Sequence, residues 1–339
     1  MMRRSVAALL SAGLAAGFTA GSGGARATVA DPPLQQVVSL PGVNDRIAYT
    51  KQWTVRDTPG PDDRQDVFSV RPNGEGGKRL TFFRDAGEPK WSPNGRRIAF
   101  ERPGEVWVVR ADGEKPQLLT EGELVGWMPT GGQVLVARGL ANFSGSADPT
   151  WVLHTLATGA EEVLPIDLPI EPGLEPPYDG EEDGWTFAAT PALSPDGELL
   201  ALTLQRYDGA DDGYAYWFGS FFTVRLDGTE LSQVGDAYTY SFGGLTWSPD
   251  GDEIAYWSSE PRAHCFGGLG SMLLDGSPGT LNVDQGCPED PVWSPDGRKV
   301  AYSTGTRIKL ANINGTRAKT VVGGTGGAYY FDPDWRRKP

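Results

Sequence analysis

The stretch Trp247-Ser248-Pro249-Asp250-Gly251-Asp252-Glu253-Ile254-Ala255-Tyr256 constrains the fold most, because close copies of it recur on both sides. Pro presets φ, Asp bonds back to its own backbone and Gly accepts a positive φ, so Pro249-Asp250-Gly251 is a tight turn. The flanking runs Leu245-Thr246-Trp247 and Ile254-Ala255-Tyr256 are β-rich, and the unit reads as a hairpin. Copies stand at Trp91-Ser92-Pro93-Asn94-Gly95 and Trp293-Ser294-Pro295-Asp296-Gly297, and a fourth, Leu193-Ser194-Pro195-Asp196-Gly197, lacks only the Trp. A looser fifth is Trp127-Met128-Pro129-Thr130-Gly131.

The segment after each hairpin repeats as well. Val106-Trp107-Val108-Val109 leads to Asp112-Gly113 and Leu118-Leu119-Thr120, and Phe222-Thr223-Val224 leads to Asp227-Gly228 and a strand near Val234. Each unit therefore holds four strands, A to D, which predicts an all-β fold, a β-propeller whose blades cover one another's faces. Arg46-Ile47-Ala48-Tyr49 is a B strand with no A strand before it, and Pro333-Asp334-Trp335 matches Pro89-Lys90-Trp91 as an A strand. The two ends are expected to share one blade, which closes the ring and makes six blades.

The pattern Pro-x-Trp-Ser-Pro-Asp-Gly-x-x-Ile-Ala-Tyr, an aromatic strand, Asp-Gly and Leu-Thr resembles the TolB-type β-propeller repeat, shared with the propellers of prolyl oligopeptidase-like enzymes. The resemblance covers roughly residues 45 to 335. It implies a propeller scaffold and, by the TolB example, binding of a protein in the cell envelope. A fold of this kind hosts binding proteins and enzymes alike.

Residues 1–27 read as a secretory signal: Arg3 and Arg4, then an apolar stretch, then Ala25-Arg26-Ala27 as a cleavage candidate. Residues 28–44 come next as a linker and 45–339 as the six-bladed propeller. A secreted, periplasmic or envelope location is expected, with no membrane insertion, since the apolar stretch falls short of a span. The formal net charge of −14 speaks against nucleic acid and anionic lipid. The chain is read as a monomer with a protein or peptide partner, or alternatively a glycan. Cys265 and Cys287 are the only cysteines, and in an exported chain such a pair is expected to form one disulfide.

Propeller connectivity puts the A–B and C–D turns, all tight, on one face. The B–C and D–A connections, with insertions at about 52–66, 138–150, 165–190, 205–220, 235–243, 258–270 and 282–290, lie on the other, where binding residues are expected. Between 165 and 189 stand seven acids and no base. Asp179, Glu181 and Asp183 match the start of a calcium loop, and Asp208 and Asp212 lie in a second acidic connection, so this cluster is the candidate Ca²⁺ site. Position 12 of the loop is Thr190 rather than Glu, and the competing reading is a solvated acidic loop. Tyr178, Trp185, Tyr207 and Tyr214, with Asp179 and Asp183, are the candidate ligand-binding residues; Trp217, Phe218, Phe221 and Phe222 read as packing.

The sequence favours a non-enzymatic binding protein. It has no Gly-x-Ser-x-Gly elbow, and its two histidines, His154 and His264, are too few for a multi-His metal site. His154 sits in an apolar strand and reads as structural. The alternative is a carbohydrate-binding or glycoside-cleaving propeller that uses the loop carboxylates of Asp179 to Asp183 and Asp208 to Asp212.

Overall fold

A computed structural model describes residues 43–54, 63–140, 149–168, 186–187, 191–209, 215–237, 241–259, 267–283, 287–324 and 326–338. Every regular element among them is a strand, and the strands form six antiparallel sheets. Blade one takes its A strand, Ala328–Lys338, from the C-terminal end; its B, C and D strands are Val43–Thr54, Asp63–Val70 and Lys78–Arg79. Blade two runs through Gly87–Trp91, Arg97–Arg102, Glu105–Arg110 and Gln117–Glu121. Blade three holds Glu123–Trp127, Gln133–Arg138, Thr150–Thr155 and Glu161–Val163.

Blade four has an interrupted A strand, Thr186–Phe187 and Ala192–Leu193, then Leu199–Gly209, Ala215–Arg225 and Ser232–Ala237. Blade five is Ser241–Trp247, Glu253–Ser259, Gly267–Leu273 and Pro278–Val283. Blade six is Glu289–Trp293, Lys299–Ser303, Arg307–Asn312 and Lys319–Gly323. The A strands of consecutive blades touch in a closed circuit, from blade one round to blade six and back, so they line the central channel. The expected sharing of one blade by the two ends is present: Ile47 pairs with Trp335 and Ala48 with Asp334.

The repeated Ser-Pro-Asp-Gly explains itself at atomic level. Ser194, Ser248 and Ser294 each donate their hydroxyl to the Asp two residues on at 2.6 Å, and Ser92 reaches Asn94 at 3.0 Å. The same oxygens accept the N–H of Leu199, Glu253, Lys299 and Arg97 at 2.8–3.0 Å. One serine thus fixes the turn and starts the B strand, so four of the five copies keep it.

Six apolar clusters fill the six spaces between neighbouring blades. The anchor Trp of five A strands is a wedge in such a space: Trp91 against blade one, Trp127 against blade two, Trp247 against blade four, Trp293 against blade five and Trp335 against blade six, while blade four has Leu193 at that place. Trp127 Nε1–H donates to the carbonyl of Lys90 and Trp247 Nε1–H to that of Ala192, each at 2.9 Å, which ties one A strand to the one before it. Phe221 and Phe222 are buried between blades, as the strand alternation implied.

One expected insertion is structured differently. Residues 205–209 and 215–220 do not form an irregular B–C connection: the two strands stay in register out to Gly209 opposite Ala215. A β-rich composition around Tyr207 and Tyr216 keeps the ladder going, so that both strands reach 11 residues.

Candidate functional site

The A strands carry the least expected feature. Glu88, Asp290 and Asp332 each stand three residues before an anchor Trp and directly before a Pro, and each has a left-handed backbone, with φ of 48°, 49° and 49°. Left-handed φ is costly for a residue with a Cβ. Here it comes with a break in register between the A and B strands in all three blades, a bulge that turns the chain at the channel wall. Blade five has the same bulge with Gly244 at φ 62°, where a Cβ would come within 2.7 Å of the Trp257 ring.

Thr50 joins the backbone of Glu88 to the carboxyl of Asp332, and Asp332 in turn faces Asp290. The Thr50 hydroxyl oxygen accepts the Glu88 N–H at 3.0 Å and donates to Asp332 Oδ2 at 2.8 Å. The Asp332 N–H points to Asp290 Oδ2 at 3.4 Å. Asp334, two residues further along the same strand, accepts the Trp91 N–H at 2.6 Å, and Glu101 accepts the Leu124 N–H. All five acidic side chains are partly buried.

Burial dominates their ionisation and like charges add to it. Burial, then Asp332, pushes Asp290 up to about 8, and burial, then Asp332, pushes Glu88 up to about 7. Burial raises Asp334 to about 6 despite the Trp91 hydrogen bond, and raises Asp332 and Glu101 too. Lys90 is the cation that favours the charged forms of Glu88, Glu101, Asp332 and Asp334. The channel wall therefore gathers carboxyl groups whose ionisation is opposed by burial and by one another.

A second surface lies where B–C and D–A connections emerge. The Arg79 guanidinium is sandwiched between Trp53 and Phe82, 5.0 and 4.7 Å from the ring centres, and paired with fully buried Asp66. Asp66 also accepts from Thr81 Oγ1 at 2.7 Å, Phe83 N at 3.0 Å and Arg84 N at 3.2 Å, so it pins the 81–84 segment that holds Phe82 out. Phe82 is 70% exposed. Beside it Arg102 stacks on Phe83 and Trp107 and forms a two-pronged pair with Asp85 at 2.8 and 2.9 Å. Tyr329, 49% exposed, stacks on Phe331 at the start of the blade-one A strand.

Of the residues expected to bind, Tyr178, Asp179, Glu181, Asp183, Trp185, Asp212, Tyr214 and Cys265 lie outside the described residues. Tyr207 and Asp208 fall in the extended hairpin, opposite Trp217 and Tyr216. Among the described residues no group of three or more His, Cys, Asp or Glu side chains is arranged to hold a metal ion. Cys287 is not a free thiol. His154 is buried, with Nδ1 3.4 Å from Glu161 Oε1, a structural place as its strand suggested. The channel acids were not expected, although their sequence signal is there: acid-Pro-x-Trp occurs at Glu88, Asp290 and Asp332.

No family model matches the sequence, and no curated protein matches it. Among solved structures, TolB from Acinetobacter baumannii superimposes with a TM-score of 0.57 at 17% identity, over 87% of this chain and 67% of that one. A putative TolB from Agrobacterium tumefaciens gives 0.52 at 15%, over 86% and 98%. A chain of a nidogen/laminin complex gives 0.55 at 9%, over 85% and 98%. Such likeness shows the fold: this chain is a TolB-like six-bladed β-propeller.

Proposed function

We propose that the protein is an exported, non-enzymatic propeller that binds a protein or peptide partner in the cell envelope or outside the cell, through the face bearing the B–C and D–A connections. The observation behind this reading is the ordered aromatic and arginine surface of Trp53, Arg79, Phe82, Phe83, Arg102 and Trp107. Trp, Tyr, Phe and Arg dominate the centres of protein interfaces, and an anchor already held in place loses little entropy on binding. Residues 1–27 serve as the export signal, and Cys265 pairs with Cys287 in the oxidising compartment that export leads to. The TolB likeness supports an envelope partner.

Affinity capture from envelope extract tests the proposal, with the wild type beside Phe82→Ala and Tyr329→Ala. Loss of an interface anchor lowers affinity by about thirtyfold or more, so a partner held by the wild type is expected to be depleted on Phe82→Ala. Equal recovery on all three proteins, or no partner on any, overturns it.

A further inference from the structure

The segment that follows the blade-one D strand holds an apolar ring and a cation out in solvent. Phe82 and Arg84 are both exposed. Arg84 has a left-handed backbone, φ 73°, a conformation that favours glycine and is costly for a residue with a Cβ. Both ends of this residue are pinned: its N–H donates to Asp66 Oδ1 at 3.2 Å, and its carbonyl accepts the Gln65 N–H at 3.1 Å. Asp66 is fully buried, and Arg79 pairs with it while stacking on Trp53 and Phe82. The ring and the cation are thus fixed before anything binds.

The charges around them are left over in one sense. Arg79 is paired with Asp66, Arg102 with Asp85 and Glu105, and Asp63 accepts from the Thr54 hydroxyl at 2.9 Å. Arg84, and Arg64 across the ladder from Trp53, have no carboxylate at ion-pair distance among the described residues. The ring as a whole is polarised the same way. Residues 43–121 and 328–338, which build blades one and two, hold 17 Lys and Arg against 15 Asp and Glu, whereas 122–327 hold 10 against 28. Long-range forces therefore draw an acidic partner towards blades one and two and drive it from the other four.

Resting on the binding role proposed above, we infer that this surface takes an acidic protein segment that carries an aromatic or large apolar side chain. That side chain covers Phe82 beside the Arg79 guanidinium, and carboxylates of the segment pair with Arg84 and Arg64. Arginine suits both tasks, since its planar fork bonds a carboxylate at two points and its face stacks on rings.

Fluorescence anisotropy of the full chain tests the inference with three labelled peptides: three repeats of Glu-Phe-Asp-Gly, of Lys-Phe-Lys-Gly and of Glu-Ser-Asp-Gly. The first is expected to bind most tightly and to weaken as salt is raised. Arg84→Glu is expected to weaken it by about tenfold or more and Phe82→Ala by about thirtyfold, with the melting temperature unchanged. Arg64→Glu repeats the charge reversal if Arg84→Glu fails to fold. No binding of the first peptide, or binding that neither substitution weakens, overturns the inference. Self-association of the wild type in sedimentation that Arg84→Glu abolishes assigns the surface to a second copy and overturns it too. Adding Arg84→Glu to the envelope capture separates the two readings. A partner depleted on Phe82→Ala but kept on Arg84→Glu leaves the binding role standing and overturns the acidic segment; depletion on neither overturns both.

Discussion

Ile47 lies directly across the blade-one ladder from Trp335, and both are buried in the cluster that joins blade one to blade six. The ring is closed by this pair of strands from opposite ends of the described chain. Trp335→Ala empties the wedge at the seam and is expected to destabilise the fold by about 3–5 kcal/mol, read as a shift in the urea midpoint.

Asp66 determines whether Phe82 is presented. Replacing this fully buried carboxylate leaves Arg79, Thr81, Phe83 N and Arg84 N without their acceptor. Asp66→Ala is expected to cost about 3 kcal/mol in chemical denaturation and to speed amide exchange in 81–84.

Glu161 behaves oppositely to the channel acids. Hydrogen bonds from Arg138 first, then Thr120, hold it down at about 2. A folded value below the unfolded one gives stability that is present at neutral pH and lost as pH falls from above 4 towards 2. The pair is near the surface, so Glu161→Gln is expected to cost less than about 1 kcal/mol at pH 7. The difference from the wild type should vanish near pH 2, measured by thermal melting.

Gly244 occupies the bulge position that Glu88, Asp290 and Asp332 fill elsewhere. A Cβ there meets Trp257 Cδ1 at 2.7 Å and Pro291 Cδ at 3.0 Å. Gly244→Ala is expected to lower stability by about 2 kcal/mol, with a change in Trp fluorescence as the indole is displaced.

The architecture was legible because its determinants are local and repeated. A serine that caps its own turn and a Trp that wedges between blades recur at fixed places, and Pro333-Asp334-Trp335 identified the closing strand without any knowledge of its partner. The channel was not legible in the same way. Acid-Pro-x-Trp is visible at three positions, but only the closed circuit of A strands links Glu88, Asp332 and Asp290, so distant in sequence, through Thr50 and the Asp332 backbone. The Trp53, Arg79 and Phe82 sandwich was hidden for a similar reason: its members come from a B strand, a D strand and a connection, and its order depends on a buried Asp66 that reads in sequence as an ordinary surface acid. The reach of the blade-four hairpin was missed because Gly209 and Asp208 look like turn residues, whereas pairing with Ala215 and Tyr216 outweighs that preference.

Because the innermost strand of blade one is drawn from 328–338, the ring has a fixed order of completion during synthesis. Blades two to six each find their four strands within a continuous stretch and can zip up as it emerges. Blade one waits, its B, C and D strands present but its channel edge bare, until residue 335 has left the ribosome. Until that strand arrives the other blades form an open arc, and a single late segment of 11 residues decides when arc becomes ring.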